Sequence, residues 1–369
     1  MSRQKVFNRD FLRLFIREQW WIVVRQLIFS IHRGIIYFLS CSPVVISFYY
    51  TFISGAFRRE QRAVVKGISR FYKRLNRDGC NVFLLRRNIH RLEKGLLMPV
   101  RRKVFGTGYI TETVDLYARM LQHTGDCNGP ANDGIVWATD VLDAYFTRIE
   151  EPDPVIDKAR DSFRKSRIAL QDHKRKIPYL RNLETPPVTF ESLYNLSVRR
   201  RAVRWFRPER VPREILDKGL QAAALAPSAC NRQPFSYRLF DDPALIKTVA
   251  TIPMGTKGFA DTIPVLAVIV GDLSAFQSER DRHVIYIDAS LSAMAFMYAL
   301  ETLGVSSCPV NWPDIAGREK KMARALGLAP YERIVLVMAI GYPDPDGLVA
   351  CSQKKSLDDL RSYGLKDFR

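Results

Sequence analysis

Between positions 288 and 303 the chain reads DASLSAMAFMYALETL, and Gly304 follows. The stretch is apolar on nearly every helical face, and such a helix is stable only when it is buried. Asp288 is expected as its amino cap. Gly304 is expected as its stop, because glycine enters the left-handed conformation that ends a helix. A buried helix needs covering layers, and the flanking sequence offers them. Residues 236–240, 265–270 and 334–340 are short apolar runs rich in β-branched residues and read as strands. Residues 212–226 read as a helix with Pro212 at an early position. The carboxyl-terminal half therefore alternates helices with strands.

Several chemistries are missing from that half. No G-x-G-x-x-G follows a first strand and no G-x-x-x-x-G-K-[ST] occurs, so neither a dinucleotide fingerprint nor a P-loop is supported. No G-x-S-x-G exists and His283 is the lone histidine there, which leaves Ser-His-Asp hydrolysis without support. Three polar clusters remain. Arg200-Arg201-Ala202-Val203-Arg204-Trp205-Phe206 offers forked, permanently charged groups suited to a phosphate. Ala226-Pro227-Ser228-Ala229-Cys230-Asn231-Arg232-Gln233-Pro234-Phe235 is a polar loop directly after a helix, with groups able to bond a heteroaromatic edge. Gly341-Tyr342-Pro343 and then Lys354-Lys355-Ser356-Leu357-Asp358 close the chain, and the two lysines could complete a phosphate pocket.

In this order and spacing the clusters resemble the nitroreductase family of FMN-dependent oxidoreductases. The R-R-x-x-R-x-F start, the A-P-S-x-x-N-x-Q-P-F loop and the G-Y-P…K-K-x-L-D ending carry the likeness over roughly residues 190–360. Residues 288–304, followed by Val305-Ser306-Ser307-Cys308-Pro309-Val310-Asn311-Trp312, also match the pattern. The resemblance implies an α+β fold with a central mixed or antiparallel sheet flanked by helices. It implies a homodimer with FMN at the subunit interface. It further implies ping-pong transfer of hydride or electrons from NAD(P)H through the flavin to a small-molecule acceptor, with no dedicated catalytic side chain. By the same likeness, Arg200, Arg201 and Arg204 hold the FMN phosphate, with Lys354 or Lys355 arriving from the tail. Ser228 and Asn231 meet the isoalloxazine or ribityl groups, and Gln233 shapes the loop. Ser306 and Ser307 lie in the segment whose backbone meets the ring, and Lys257 lies beside the flavin. Ala202 departs from the family, which often has serine there; the loss of that hydroxyl motivates an alternative in which the flavoprotein fold survives as a non-catalytic, membrane-docked assembly module.

The middle of the chain reads as mostly helical. Arg86, Ile89, His90, Glu93, Lys94 and Leu97 recur at three- and four-residue steps, as on a helix that ends before Pro99. His90 and Glu93 are i, i+3 neighbours, so a histidine–carboxylate bond is available; no second metal ligand lies at a suitable spacing. The stretch His90-Arg91-Leu92-Glu93-Lys94-Gly95-Leu96 resembles the extension of nitroreductase-like proteins encoded among bacterial polysaccharide-synthesis genes. TGDCNGPANDG (124–134) reads as a surface loop, because a calcium loop starting at Asp126 would need Glu where Trp137 stands. Residues 135–149 and 154–175 read as helices, and 178–187 as a linker.

The 369 residues carry 57 Lys and Arg against 38 Asp and Glu, a net charge of +19, and that excess is lopsided. Residues 1–110 hold 22 basic and 5 acidic residues, a net of +17, so the remainder is almost neutral. Within this basic third, DFLRLFIREQWWIVVRQLIFSIHRG (10–34) places Arg13 and Arg17 on one helical face and pairs Trp20 with Trp21. Residues 34–57 form a run of 24 without charge. A span and an in-plane anchor are both open to that run, as Pro43 and its serines interrupt the apolar character. Basic and aromatic residues together favour an anionic membrane surface on the cytoplasmic side. Nucleic acid is disfavoured, because residues 58–77 are basic yet belong to no known nucleic-acid-binding pattern. The 6 cysteines form no C-x-x-C pair, which points to a reducing compartment. The expected organisation is a membrane-associating segment at 1–59, a helical extension and linker at 60–185, and the FMN domain at 186–369.

Overall fold

A computed structural model describes residues 3–76, 78–100, 102–122, 131–170 and 173–364. For residues 3–19, 22 and 131–133 the description is of the backbone alone. The chain divides into two compact units, Met1–Arg62 and Ala63–Arg369.

In the first unit, α1 (Arg3–Ser40) is one long helix. Trp20, Trp21, Val23, Leu27, Ile28, Phe29 and Ile31 are all exposed, so the apolar groups surround the helix rather than forming one stripe. The uncharged run is not one straight helix. Ser42 is extended, and Pro43 starts α2 (Pro43–Phe48), which passes into a π-helical turn at Tyr49–Ile53. Proline suits a first helical position and cannot continue the helix before it. The second piece, at about 1.5 Å per residue, is far shorter than a bilayer core.

The second unit opens with helices. α3 (Arg58–Asn76) enters it, followed by α4 (Val82–Leu97), α5 (Ile110–Gln122), α6 (Ala131–Arg148) and α7 (Pro154–Ser166). Leu85, Ile89 and Leu92 of α4 interlock with Tyr117 of α5, Val141, Leu142 and Tyr145 of α6, and Phe163 of α7 in a core of their own. The Asn81 side chain caps α4 by accepting from the Leu84 amide at 3.1 Å. α7 stops nine residues short of the expected end. Arg167 turns extended there and forks onto Asp143 at 2.8 and 3.0 Å, drawing Ile168 toward the helical core. Most of the expected surface loop at 124–134 lies outside the described residues, and its last residues belong to α6.

After a segment whose described residues form no helix or strand come α8 (Phe190–Arg199), α9 (Arg213–Ala223), β1 (Phe235–Phe240), α10 (Pro243–Ala250), β2 (Val265–Asp272), α11 (Val284–Thr302), β3 (Ser306–Asn311), α12 (Ala316–Leu326), β4 (Glu332–Gly341) and α13 (Leu357–Leu360). The strands form one antiparallel sheet in the order β1-β2-β4-β3. β2 shows why the run is apolar throughout. Leu266, Val268 and Val270 point into a core with Ile246 of α10 and Met322 of α12. Val265, Ala267 and Ile269 point into the opposite core, with Leu216 of α9 and Ala289 and Phe296 of α11. Both faces are covered, so period-2 alternation vanishes from the sequence. The fold is α+β, a sheet flanked by helices and preceded by a helical region. Helix α11, within the stretch Glu279–Thr302 that is long and apolar enough to cross a membrane, is a packed core helix of this sheet.

One further expectation requires correction, and one strand was not expected. α11 begins at Val284, one turn before Asp288, with His283 at the cap position. Ile285 drives this extension, because it packs against Gly271 of β2, whose absent side chain makes room. Asp288 is thus a buried residue inside the helix rather than its cap. Gly304, at φ 76°, ends the helical segment as expected. β3 was not foreseen as a strand because Pro309 sits in it. Ser307 directs its carbonyl outward to the Val203 amide, so Pro309, two residues on, spends its missing N–H on that same outer edge.

The extension and the sheet touch closely at Gly67 of α3. A Cβ there would lie 2.8 Å from backbone atoms of Leu273, and Arg74 on the same helix reaches Asp272 at 3.6 Å. Replacing Gly67 by alanine should gain at most about 1 kcal/mol of helix propensity and lose roughly 1–3 kcal/mol to overpacking. Gly67→Ala is therefore expected to lower the melting temperature of the full chain; a rise would contradict the close packing.

Candidate functional site

The outer edge of β3 is where the first cluster arrives. α8 ends with Arg199, whose Nε donates to Glu301 Oε1 at 3.0 Å. Glu301 is buried at the end of α11 and also accepts from the Ser306 hydroxyl at 3.2 Å. From this anchor the chain runs along β3. Ala202 bridges Ser307, and the Val203 amide donates to the Ser307 carbonyl at 3.2 Å. Phe206 then pairs with Pro343, and the Asp344 amide donates to the Trp205 carbonyl at 3.0 Å. Residues 200–206 are thereby held between β3 and the chain after β4. This places Arg200, Arg201, Arg204, Ser306 and Ser307 at one sheet edge. Burial pushes the Cys308 thiol up, and the nearby Arg204 guanidinium opposes that rise.

Two buried polar atoms at this edge lack a hydrogen-bond partner among the described residues: Arg200 Nε and Ser307 Oγ. Buried donors are nearly always satisfied, so two at one edge mark a place for an external acceptor. An oxygen-rich anion suits a guanidinium and a hydroxyl carried on one edge, and a phosphate is such an anion.

The second cluster is the loop after α9. Cys230, Asn231 and Gln233 have φ of 53°, 51° and 51°, so three non-glycine residues in four positions are left-handed. Each costs on the order of 1 kcal/mol and persists only where the surroundings impose it. One restraint comes from α11. The Ser228 hydroxyl donates to Asp288 Oδ2 at 2.6 Å, and the Ala229 amide donates to the same oxygen at 3.0 Å. Ser228 Oγ in turn accepts from the Gln233 amide at 2.7 Å, so that hydroxyl serves the loop from within. A second restraint comes from α4. Arg86 Nε donates to the Asn231 carbonyl at 2.7 Å and its Nη2 to Gln233 Oε1 at 2.9 Å. Between them, the Arg232 side chain is buried over the Phe276 ring at 4.9 Å, and its Nε has no partner among the described residues. Burial holds its pKa below the usual guanidinium range; the neighbouring Arg87 adds to that, while Cys230, Asp281 and Asp288 oppose it.

The remaining candidates are more loosely placed. Lys257 is exposed in the turn after Gly255, whose missing side chain lets this turn approach Val310 of β3. Lys354 and Lys355 are exposed, and no described contact joins either ammonium group to the arginine edge. His90 Nδ1 lies 3.5 Å from Glu93 Oε2 on α4, and that carboxylate also accepts from Trp137 Nε1 at 2.9 Å. No cluster of three His, Cys, Asp or Glu suited to a metal occurs among the described residues. Sequence reasoning did not single out Arg199, Glu301, Asp288 or Arg86 for these roles. Arg199 belongs to a run of three arginines, and only the position of Glu301 separates it from its neighbours.

The Nitroreductase family model matches residues 198–256 and 249–342. The chain is 25% identical over 201 residues to iodotyrosine deiodinase 1 of Mus musculus, covering 46% of this chain and 68% of that protein. It is 24% identical over 198 residues to iodotyrosine deiodinase of Nematostella vectensis, covering 45% and 73%. Among solved structures, an FMN-dependent nitroreductase from Clostridium difficile R20291 aligns at 22% identity and TM-score 0.40, covering 47% of this chain and 99% of its own. A nitroreductase family protein from Streptococcus pneumoniae TIGR4 aligns at 20% and 0.41, covering 47% and 100%.

The bonding pattern separates structural from vacant hydroxyls. Ser307→Ala should leave the melting temperature unchanged or raised, since its hydroxyl bonds to none of the described residues. Asp288→Ala should strand the Ser228 hydroxyl and the Ala229 amide and cost roughly 1–3 kcal/mol. Thermal denaturation of both variants checks the ranking, and a larger loss at Ser307 would contradict it.

Proposed function

We propose that residues 186–369 form an FMN-dependent NAD(P)H oxidoreductase of the nitroreductase type. The observation that carries this reading is the pair of buried, unpartnered atoms at the β3 edge, Arg200 Nε and Ser307 Oγ, within the region matched by the family model. Arg200, Arg201 and Arg204 would bind the FMN phosphate, and Ser307 would add a hydroxyl donor where Ala202 offers none. Asn231, Gln233 and the strained loop would face the rest of the cofactor, with Ser306 holding the edge through Glu301. When bound, FMN supplies two-electron chemistry; the protein supplies position and electrostatics. The acceptor is a small molecule. The similarity to proteins named iodotyrosine deiodinases makes a halogenated aromatic worth testing beside a nitroaromatic.

Two further features belong to this reading. A homodimer is supported by the exposed apolar groups Phe190, Leu193, Tyr194 and Val198 of α8 and Ile287 and Leu291 of α11. Contact with the cytoplasmic face of a membrane, in a setting of polysaccharide synthesis, is supported by the basic charge of residues 1–59 and the exposed Trp20 and Trp21.

Purified protein should be yellow, release FMN on denaturation and bleach when NADH or NADPH is added without oxygen. Colourless protein that takes up no added FMN would overturn the enzyme reading in favour of a non-catalytic module. Deleting residues 1–57 should move the protein from the membrane fraction to the soluble one, as followed by sedimentation; unchanged membrane recovery would exclude that segment as the anchor.

A further inference from the structure

The helical extension lies outside the region that the family model matches, yet one of its side chains makes two hydrogen bonds to the loop at the site. Asn231 and Gln233 come from the strained turn after α9, and two of their acceptors converge on a single guanidinium 145 and 147 positions earlier in the chain. Arg86 suits that task because its fork can satisfy a backbone carbonyl and a side-chain carbonyl at once, which a single ammonium cannot do in the same geometry.

Arg86 is itself fixed from behind. Its guanidinium lies 5.3 Å from the centroid of the Trp137 ring of α6. The Trp137 Nε1–H donates to Glu93, whose carboxylate faces His90 on α4. Burial draws the Arg86 pKa down and Glu93 opposes the shift. The helix carrying Arg86 is locked by Leu85 and Ile89 in the extension's core, so the donor cannot drift from the loop. Asp288 binds the start of the loop directly, at Ser228 and Ala229, and reaches Gln233 only through the Ser228 hydroxyl. Of the external bonds on the left-handed residues 231 and 233, those from Arg86 come from outside the FMN domain.

We propose that Arg86 is a positioning residue, holding Asn231 and Gln233 in the left-handed conformation that presents this loop to the ligand, so that the extension is a working part of the site. The role toward FMN rests on the flavin reading above; the clamp on the loop does not.

The test uses the full chain with Arg86→Ala and Arg86→Lys. Hydrogen exchange is followed in the flavin-free protein, and FMN affinity is measured by quenching of flavin fluorescence. Arg86→Ala should speed amide exchange in residues 229–235 by about tenfold while the α4–α7 core keeps its protection. It should weaken FMN binding by a similar factor. Guanidinium chloride at sub-denaturing concentration should restore part of that affinity, and sodium chloride at equal ionic strength should not. Arg86→Lys should fall between the wild type and the alanine variant. Unchanged loop exchange would overturn the clamp, as would a rise spread evenly over the extension. If the wild type takes up no FMN, the flavin reading fails, and the exchange comparison then decides the clamp alone.

Discussion

Three left-handed, non-glycine residues in four consecutive positions cannot hold themselves, and the candidate site is organised around this constraint. The loop after α9 is restrained from two directions by charged groups. Asp288 on the buried helix α11 binds its first residues, and Arg86 on α4 binds its last. The two anchors belong to different hydrophobic cores, one beneath the sheet and one inside the helical extension.

The arginine edge obeys a different logic. An edge strand exposes backbone groups that invite pairing, and β3 meets this with a segment that leads in from α8 and continues beside the end of β4. That pairing brings a run of cations onto the edge. One of them, Arg199, is neutralised by the buried Glu301, which also fixes Ser306. Arg200 and Ser307 are left with buried atoms that no described residue satisfies. The edge thus combines a saturated structural half with a half whose polar atoms no described residue satisfies.

Much of this was legible in the sequence. The uninterrupted apolar stretch at 288–303 announced a buried helix, and β2 and β4 showed themselves as β-branched runs. The arginine cluster stood out as a run of cations, the Ser306–Ser307 pair followed from the family resemblance, and the two meet at one edge. Other features stayed hidden for physical reasons. Pro309 masked β3, since only its outward orientation makes proline tolerable there. Asp288 looked like a helix cap because aspartate before an apolar run usually is one; the extra turn comes from Ile285 packing on Gly271. Arg86 could not be recognised at all, because its partners lie 145 and 147 residues away and no local pattern records such a distance.

The central claim is that the β3 edge grips a phosphate while the Arg86-braced loop meets the remainder of the same ligand. Binding of FMN and of riboflavin, compared on the full chain by fluorescence titration, tests this most directly, for the two differ only in the phosphate. Charge-assisted bonds contribute roughly 1.5–3 kcal/mol each, so the account predicts saturable FMN binding and riboflavin binding weaker by at least about tenfold. Equal affinity for the two, or no binding of either, would contradict it.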